Sequence, residues 1–140
     1  CLTGSSHKGA ELHGFLSYLV KTVLNNKTYN VFGYKGKQVR DNLHSSDLVN
    51  AFWEFYKKPK KGAVYNIGGS RVSNCSILEA VELIEKIVKV KAKLKFFNNA
   101  RVGDHIWWIT NNSKFKKDYP NWKQNYNIKK ILKEIIKNND

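Results

Sequence analysis

Two hydrophobic periods alternate along this chain, and their alternation limits the fold more than any other feature. Ile77, Ala80, Val81, Ile84, Ile87 and Val88 recur at helical spacing behind Ser76-Ile77-Leu78-Glu79. That tetrad reads as a capping box, in which the Ser hydroxyl and the Glu carboxylate satisfy each other's backbone amides. A second stripe over 10–24 places Leu12, Phe15 or Leu16, Leu19 or Val20, and Val23 on one face, and Asn25-Asn26-Lys27 ends it. A third, over 126–137, carries Ile128, Ile131, Leu132, Ile135 and Ile136. A further helix is expected from a cap at Ser46 or Asp47 to about Lys58, with Leu48, Val49, Phe52, Phe55 and Tyr56 on its buried side and Pro59 as its stop. Between these lie runs of strand character. They are 28–33 and 37–43, joined through Tyr34-Lys35-Gly36-Lys37, then 63–67, closed by Gly68-Gly69, then 93–97 and a short extended piece at 106–110. Asn112 or Ser113 starts a small helix ended by Tyr119-Pro120-Asn121-Trp122. Helices interleaved with strands imply an α/β fold, with too few long strands for a complete doubly wound sheet.

At 140 residues and 41% apolar content, residues 1–140 are expected to form one domain around one core. The apolar runs are too short to cross a membrane, and the polar start does not resemble a signal peptide. Cys1 and Cys75 have neither metal-ligand nor disulfide spacing, so both are expected to be plain thiols in a reducing cytoplasm. No His, Cys and carboxylate cluster suggests a metal. A Cys at position 1 and the absence of Met lead us to expect a piece of a longer or processed protein. The net charge of +14 invites a nucleic-acid reading, but the lysines are scattered over 57–61, 86–95, 114–117 and 123–137 and are accompanied by sixteen asparagines. That distribution favours solvated surface and steering of anionic ligands over a nucleic-acid stripe.

Arginine is the rarer signal. Only Arg40, Arg71 and Arg101 stand among twenty-five basic residues. Two of them lie in compact polar strings, Val39-Arg40-Asp41-Asn42-Leu43-His44 and Arg101-Val102-Gly103-Asp104. A guanidinium grips phosphate or carboxylate oxygens two at a time, which a lysine ammonium does not. Gly103 permits a tight turn that aims Arg101 and Asp104 into one cleft, a cation for phosphate beside a carboxylate for sugar hydroxyls. Read alone, the first string is equally an Arg40–Asp41 surface pair with Asp47 as a helix cap. His44 reads better as a hydrogen-bonding residue than a catalytic one. Gly68-Gly69 reads better as a turn than a phosphate cradle, because the Gly-x-Gly-x-x-Gly pattern is incomplete. Trp53, Trp107, Trp108 and Trp122 read as core or helix-end residues before base-stacking ones.

Taken together, the motifs carry a resemblance. Leu2-Thr3-Gly4, Glu11-Leu12-His13-Gly14-Phe15-Leu16, Phe32-Gly33-Tyr34-Lys35-Gly36-Lys37-Gln38-Val39-Arg40-Asp41, Val64-Tyr65-Asn66-Ile67-Gly68-Gly69, Arg101-Val102-Gly103-Asp104-His105 and Tyr119-Pro120-Asn121-Trp122 occur in this order. The series resembles the C-terminal half of an extended short-chain dehydrogenase/reductase of the NAD-dependent nucleotide-sugar epimerase and dehydratase family. Within that family it is most like the 2-epimerases of CDP-linked dideoxyhexoses.

The resemblance implies the substrate-binding C-terminal portion of the fold, without the N-terminal Rossmann domain. It implies a CDP- or UDP-sugar as ligand, with Arg40 and Arg101 on the pyrophosphate and Asp104 on the ribose. His13 and Gly14 would lie over the sugar and diphosphate, with Asn30 and Phe32 beside the base. NAD belongs to the intact family enzyme and is not expected on this chain alone. The expected partners are the missing Rossmann domain or a second copy. The alternative is a stand-alone binding module without catalysis. The family's catalytic Tyr-x-x-x-Lys is absent, so no catalytic residue is assigned here. Asn42 stands where many relatives carry an aromatic, and Asn111 where many begin a helix with Asp.

Overall fold

The computed structural model describes residues 1–4, 9–10 and 14–139. In chain order the strands are β1 (Leu2–Thr3), β2 (Thr28–Phe32), β3 (Val39–Asp41), β4 (Leu43–His44), β5 (Asn74–Ser76), β6 (Lys93–Phe97) and β7 (Trp107–Trp108). The helices are α1 (Phe15–Leu24), α2 (Ser45–Lys57), α3 (Ile77–Val88), α4 (Ser113–Asp118) and α5 (Ile128–Lys137). β2 pairs with β6 in parallel, β1 with β4 in parallel, and β3 lies between antiparallel β5 and parallel β7. This is the expected mixed α/β arrangement with small, largely parallel sheets.

The apolar stripes of α1, α3 and α5 meet on β2. Leu16, Leu19, Val20, Val31, Ile84, Ile131, Leu132 and Ile135 are all buried there. Each such side chain contributes roughly 1.5–3 kcal/mol by leaving water, which is why the three periodicities survive as helices. A second cluster gathers Leu43, Ala51, Phe115, Tyr119 and Trp122 under α2 and α4.

The capping box forms as the tetrad predicts. Ser76 Oγ accepts from the Glu79 amide at 3.2 Å, and Glu79 Oε2 accepts from the Ser76 amide at 2.7 Å. The Ser76 amide, and after it the Ser76 hydroxyl, hold the Glu79 carboxyl below its usual range. A depressed folded pKa contributes stability that is present above the unfolded value, about 4.3, and lost as pH falls through the folded one. Wild type is therefore expected to resist urea better than Glu79→Gln at neutral pH. The two midpoints should converge as the pH is lowered from about 5 to about 3.

Several local expectations are corrected. α1 runs from Phe15 behind an N-cap Gly14 in the left-handed region (φ 67°), and the part of the expected stripe at Leu12 lies outside the described residues. The strand expected over 37–43 breaks at Asn42, whose backbone N–H turns aside to Ser73 O at 2.7 Å. His44, not Ser46 or Asp47, caps α2. Its Nδ1 accepts from the Ser46 amide at 3.2 Å, while the other ring nitrogen lies 3.1 Å from Glu134 Oε1. Asp47 is buried instead, and its two oxygens accept the amides of Asn125 and Tyr126, both at 3.0 Å.

On α2, Leu48 and Phe55 pack inward as expected, but Val49, Phe52 and Tyr56 face out, with Trp53 beside them. The segment 63–67 is extended yet belongs to no strand ladder among the described residues. Trp122 fills the second core and donates its Nε1–H to Asp47 O at 2.9 Å, whereas Trp53, Trp107 and Trp108 are exposed. Both cysteines are free. Burial pushes the Cys75 thiol up to about 12, so it is protonated and unreactive at neutral pH.

Candidate functional site

Arg40 occupies β3, the central strand of its sheet, with Cys75 of β5 on one side and Trp108 of β7 on the other. On β2, strand alternation sends Val31 into the core and leaves Asn30 and Phe32 together on the opposite face. Gln38 ties the two strands together, donating from Nε2 to Phe32 O at 3.0 Å.

The loop after β6 then crosses the end of β2. A Cβ on Gly33 would come within 2.6 Å of the Ala100 Cβ, so the closeness of this crossing depends on glycine. Four residues later the chain reverses: the Asp104 amide donates to Arg101 O at 3.0 Å, and Gly103 takes a left-handed φ of 75°. That is the turn expected from the sequence, and it delivers Asp104 opposite Arg40.

The result is a cleft of ≈ 370 Å³ whose walls include Gly14, Asn30, Phe32, Arg40, Arg101 and Asp104. Six of the seven residues singled out from the sequence therefore line one cavity. The seventh, His13, lies outside the described residues. The cavity is of a size that holds small organic ligands.

Its electrostatics centre on one carboxylate. Arg40 Nη2 donates to Asp104 Oδ1, and Arg101 Nη2 approaches the same oxygen at 3.8 Å. The Asp104 side chain is only 5% exposed, and its Oδ2 has no hydrogen-bond partner. Two guanidiniums against one carboxylate leave a net positive charge in a sheltered wall, which attracts anions more strongly than the same charge in open water.

The expected Arg40–Asp41 surface pair does not form. Asp41 is 1% exposed, and its Oδ2 accepts the amides of Ser70 at 2.8 Å and Thr110 at 2.9 Å. It thereby fastens the segment that follows β7 to the strand carrying Arg40. Gly68-Gly69 serves close packing and not a phosphate. A Cβ at Gly69 would meet the Asn42 carbonyl oxygen at 2.4 Å, and one at Gly68 the Thr110 hydroxyl at 2.2 Å.

Sequence reading missed Gln38, although it stands in the motif carrying Arg40. Its Oε1 is buried without a partner, and the residue lines the cleft. Asn42 supports β3, donating from Nδ2 to Arg40 O at 3.1 Å. Among the described residues, no group of three or more His, Cys, Asp or Glu could hold a metal ion, and no helix is long and apolar enough to cross a membrane.

Residues 2–68, which carry the Arg40 string and the lining residues Gly14, Asn30 and Phe32, match the model of the NAD dependent epimerase/dehydratase family. The chain is also 39% identical over 62 residues to CDP-paratose 2-epimerase of Salmonella typhi, an alignment covering 43% of this chain and 18% of that protein. The fold agrees along nearly the whole chain. MoeE5 in complex with UDP-glucuronic acid and NAD superposes with a TM-score of 0.83 at 22% identity, covering 98% of this chain and 44% of that one. UDP-glucuronic acid 4-epimerase from Bacillus cereus, in complex with UDP-glucuronic acid and NAD, gives 0.82 at 23% identity, covering 99% and 42%. The chain thus spans less than half the length of these proteins and shares their fold over nearly all of its own length.

Proposed function

We propose that this chain holds the nucleoside diphosphate of a nucleotide sugar, as the substrate-binding part of an NAD-dependent sugar epimerase. The observation that carries the reading is the convergence of Arg40 and Arg101, from motifs about sixty residues apart, on Asp104 in one cleft. In this reading the two guanidiniums take the diphosphate and Asp104 takes the ribose hydroxyls. Gly14, with His13 before it, lies over the sugar, and Asn30 and Phe32 flank the base. Binding energy from these remote parts orients the reacting sugar carbon without touching it. The likeness to CDP-paratose 2-epimerase supports a CDP-dideoxyhexose as substrate and C2 as the centre inverted.

NAD is the family's cofactor, and when bound it supplies the oxidation and return of a hydride. The residues of this chain do not fit it. Gly68-Gly69, the one glycine pair following an extended segment, is packed on Asn42 and Thr110, and the motif of a dinucleotide cradle is absent. No hydride step is therefore assigned to these residues, and the chain alone is expected to show no epimerase turnover.

Calorimetric titration of CDP-glucose and UDP-glucose tests the reading. Arg40→Lys and Arg101→Lys retain charge but lose the planar fork, so each should weaken diphosphate binding by about tenfold. Equal affinity in wild type and both variants would sink the assignment.

A second reading, a binding module that associates with a separate Rossmann partner or with itself, is favoured by a different surface. Val49, Phe52, Trp53 and Tyr56 lie at i, i+3, i+4 and i+7 on the outer side of α2, each between 57% and 74% exposed. Trp53 and Tyr56 stack there at 5.5 Å. Apolar stripes of this kind favour association. Sedimentation of the wild type beside Trp53→Ser/Tyr56→Ser should show association that the double variant loses. A wild type monomeric at high concentration would remove the self-association form.

A further inference from the structure

Tyr34 and Lys35 follow Phe32, a wall of the cleft, and both stand in the left-handed backbone region, at φ 49° and 53°. A side chain is strained there, whereas glycine is not. Asn26 and Lys89 also take positive φ, but each follows a helix, where a single left-handed residue is a common stop. Among the described residues, only at 34 and 35 are two such non-glycine residues consecutive. The turn itself needs neither side chain. Gly33 N–H donates to Phe97 O at 2.9 Å, Gly36 N–H to Gly33 O at 3.2 Å, and Lys37 N–H to Tyr34 O at 3.0 Å. Gln38 closes the loop on Phe32 O at 3.0 Å, and Gly36 lies so near Leu78 that a Cβ there would meet its side chain at 3.1 Å. A backbone fixed in this way would keep its shape with glycine at 34 and 35, and would lose the strain. Strain retained where the surroundings already fix the backbone clusters at ligand clamps.

What the two positions present decides what they serve. Both residues are exposed, and the turn continues from the stacked rings of Phe32 and Phe97, whose centroids lie 5.1 Å apart. One side chain is an aromatic ring and the other an ammonium. A pyrimidine base has a flat face for the first and a ring carbonyl to accept from the second. We infer that Tyr34 and Lys35 are specificity-determining residues that cover the base of a bound nucleotide, the ring stacking on it and the ammonium donating to its carbonyl. The pair takes no part in gripping the diphosphate, so it favours nucleotides over other diphosphates. The inference rests on the diphosphate reading above and adds to it a base-selective rim.

The test titrates CDP and pyrophosphate into the full chain as wild type, Tyr34→Gly, Tyr34→Phe and Lys35→Gly, with urea unfolding of each. Tyr34→Gly should weaken CDP by about tenfold and leave pyrophosphate affinity unchanged. Its urea midpoint should be no lower than that of wild type, because glycine relieves the strained backbone. Tyr34→Phe keeps the ring and should keep CDP affinity. Lys35→Gly should weaken CDP several-fold, and more than it weakens pyrophosphate. Weaker binding without weaker folding is not what a merely structural residue produces. An equal loss for both ligands in Tyr34→Gly would overturn the inference, as would a lowered urea midpoint. If Arg40→Lys and Arg101→Lys weaken CDP but Tyr34→Gly does not, the diphosphate reading stands and only the rim is lost. If wild type binds neither CDP nor pyrophosphate, the diphosphate reading itself fails and the rim falls with it.

Discussion

Asp47→Ala is expected to lower the unfolding free energy by about 3–5 kcal/mol, read as a shift in urea midpoint at unchanged slope. The carboxylate is fully buried, and its oxygens accept the amides of Asn125 and Tyr126 at 3.0 Å each. Its own backbone carbonyl accepts the Trp122 indole N–H. One residue of α2 thus holds the whole approach to α5. Removing the carboxylate strands two partly buried amides, each costing about 1–3 kcal/mol, and leaves a void in place of three heavy atoms. Against a typical total of 5–15 kcal/mol, that is enough to leave a marginal domain largely unfolded at 37 °C. Asp47→Asn keeps one acceptor oxygen and should lose about half as much. A midpoint for Asp47→Ala within 0.5 kcal/mol of wild type would mean that the 122–126 segment is held by something other than Asp47.

Asp41→Ala should act on stability and ligand affinity together. Asp41 Oδ2 accepts from Ser70 and Thr110, and these two bonds lock the strand of Arg40 to the segment before β5 and to the chain that follows β7. The expected loss is again about 3–5 kcal/mol for two stranded amides. The more telling measurement is calorimetric. The Asp41–Thr110 bond backs the β3–β7 pairing that anchors the 101–104 turn, so its loss loosens the turn relative to Arg40, and a displacement of about 1 Å can cost a hundredfold in a positioned site. CDP binding should therefore fall by about tenfold or more in Asp41→Ala at a temperature where it remains folded. Unchanged CDP affinity in folded protein would show that the β3–β7 pairing and the crossing at Gly33 position the turn without Asp41.

How much of this was legible beforehand follows the range of the forces involved. The capping box at Ser76, the stripes of α1, α3 and α5, and the reversal at Gly103 are set by neighbours within about four residues, and the chain displays them openly. The arginine strings could be singled out because guanidinium is scarce in this chain. α2 misled for a specific reason. Its apolar residues cover more than one face, so periodicity cannot say which face packs, and the structure buries Leu48, Ala51 and Phe55 while leaving Trp53 and Tyr56 outside. Asp41 misled because its neighbour Arg40 is a ready partner, and Asp47 because a carboxylate near a helix start resembles a cap, a role that His44 fills instead. Whether such a carboxylate pairs locally or reaches across the fold depends on amides 29 to 79 residues away.

The sequence by itself determined the apolar stripes of α1, α3 and α5, the turn at Arg101–Asp104, and a resemblance to a family. Each is written in local spacing or in an ordered series of short motifs. Only the tertiary structure decided that Arg40 answers to Asp104 and not to adjacent Asp41, a pairing across 64 residues. Strand alternation sends neighbouring side chains to opposite faces. Asp41 is thereby turned inward to the amides of Ser70 and Thr110, and Arg40 outward to the cleft, where packing of the β6–β7 loop over Gly33 brings Asp104 to meet it.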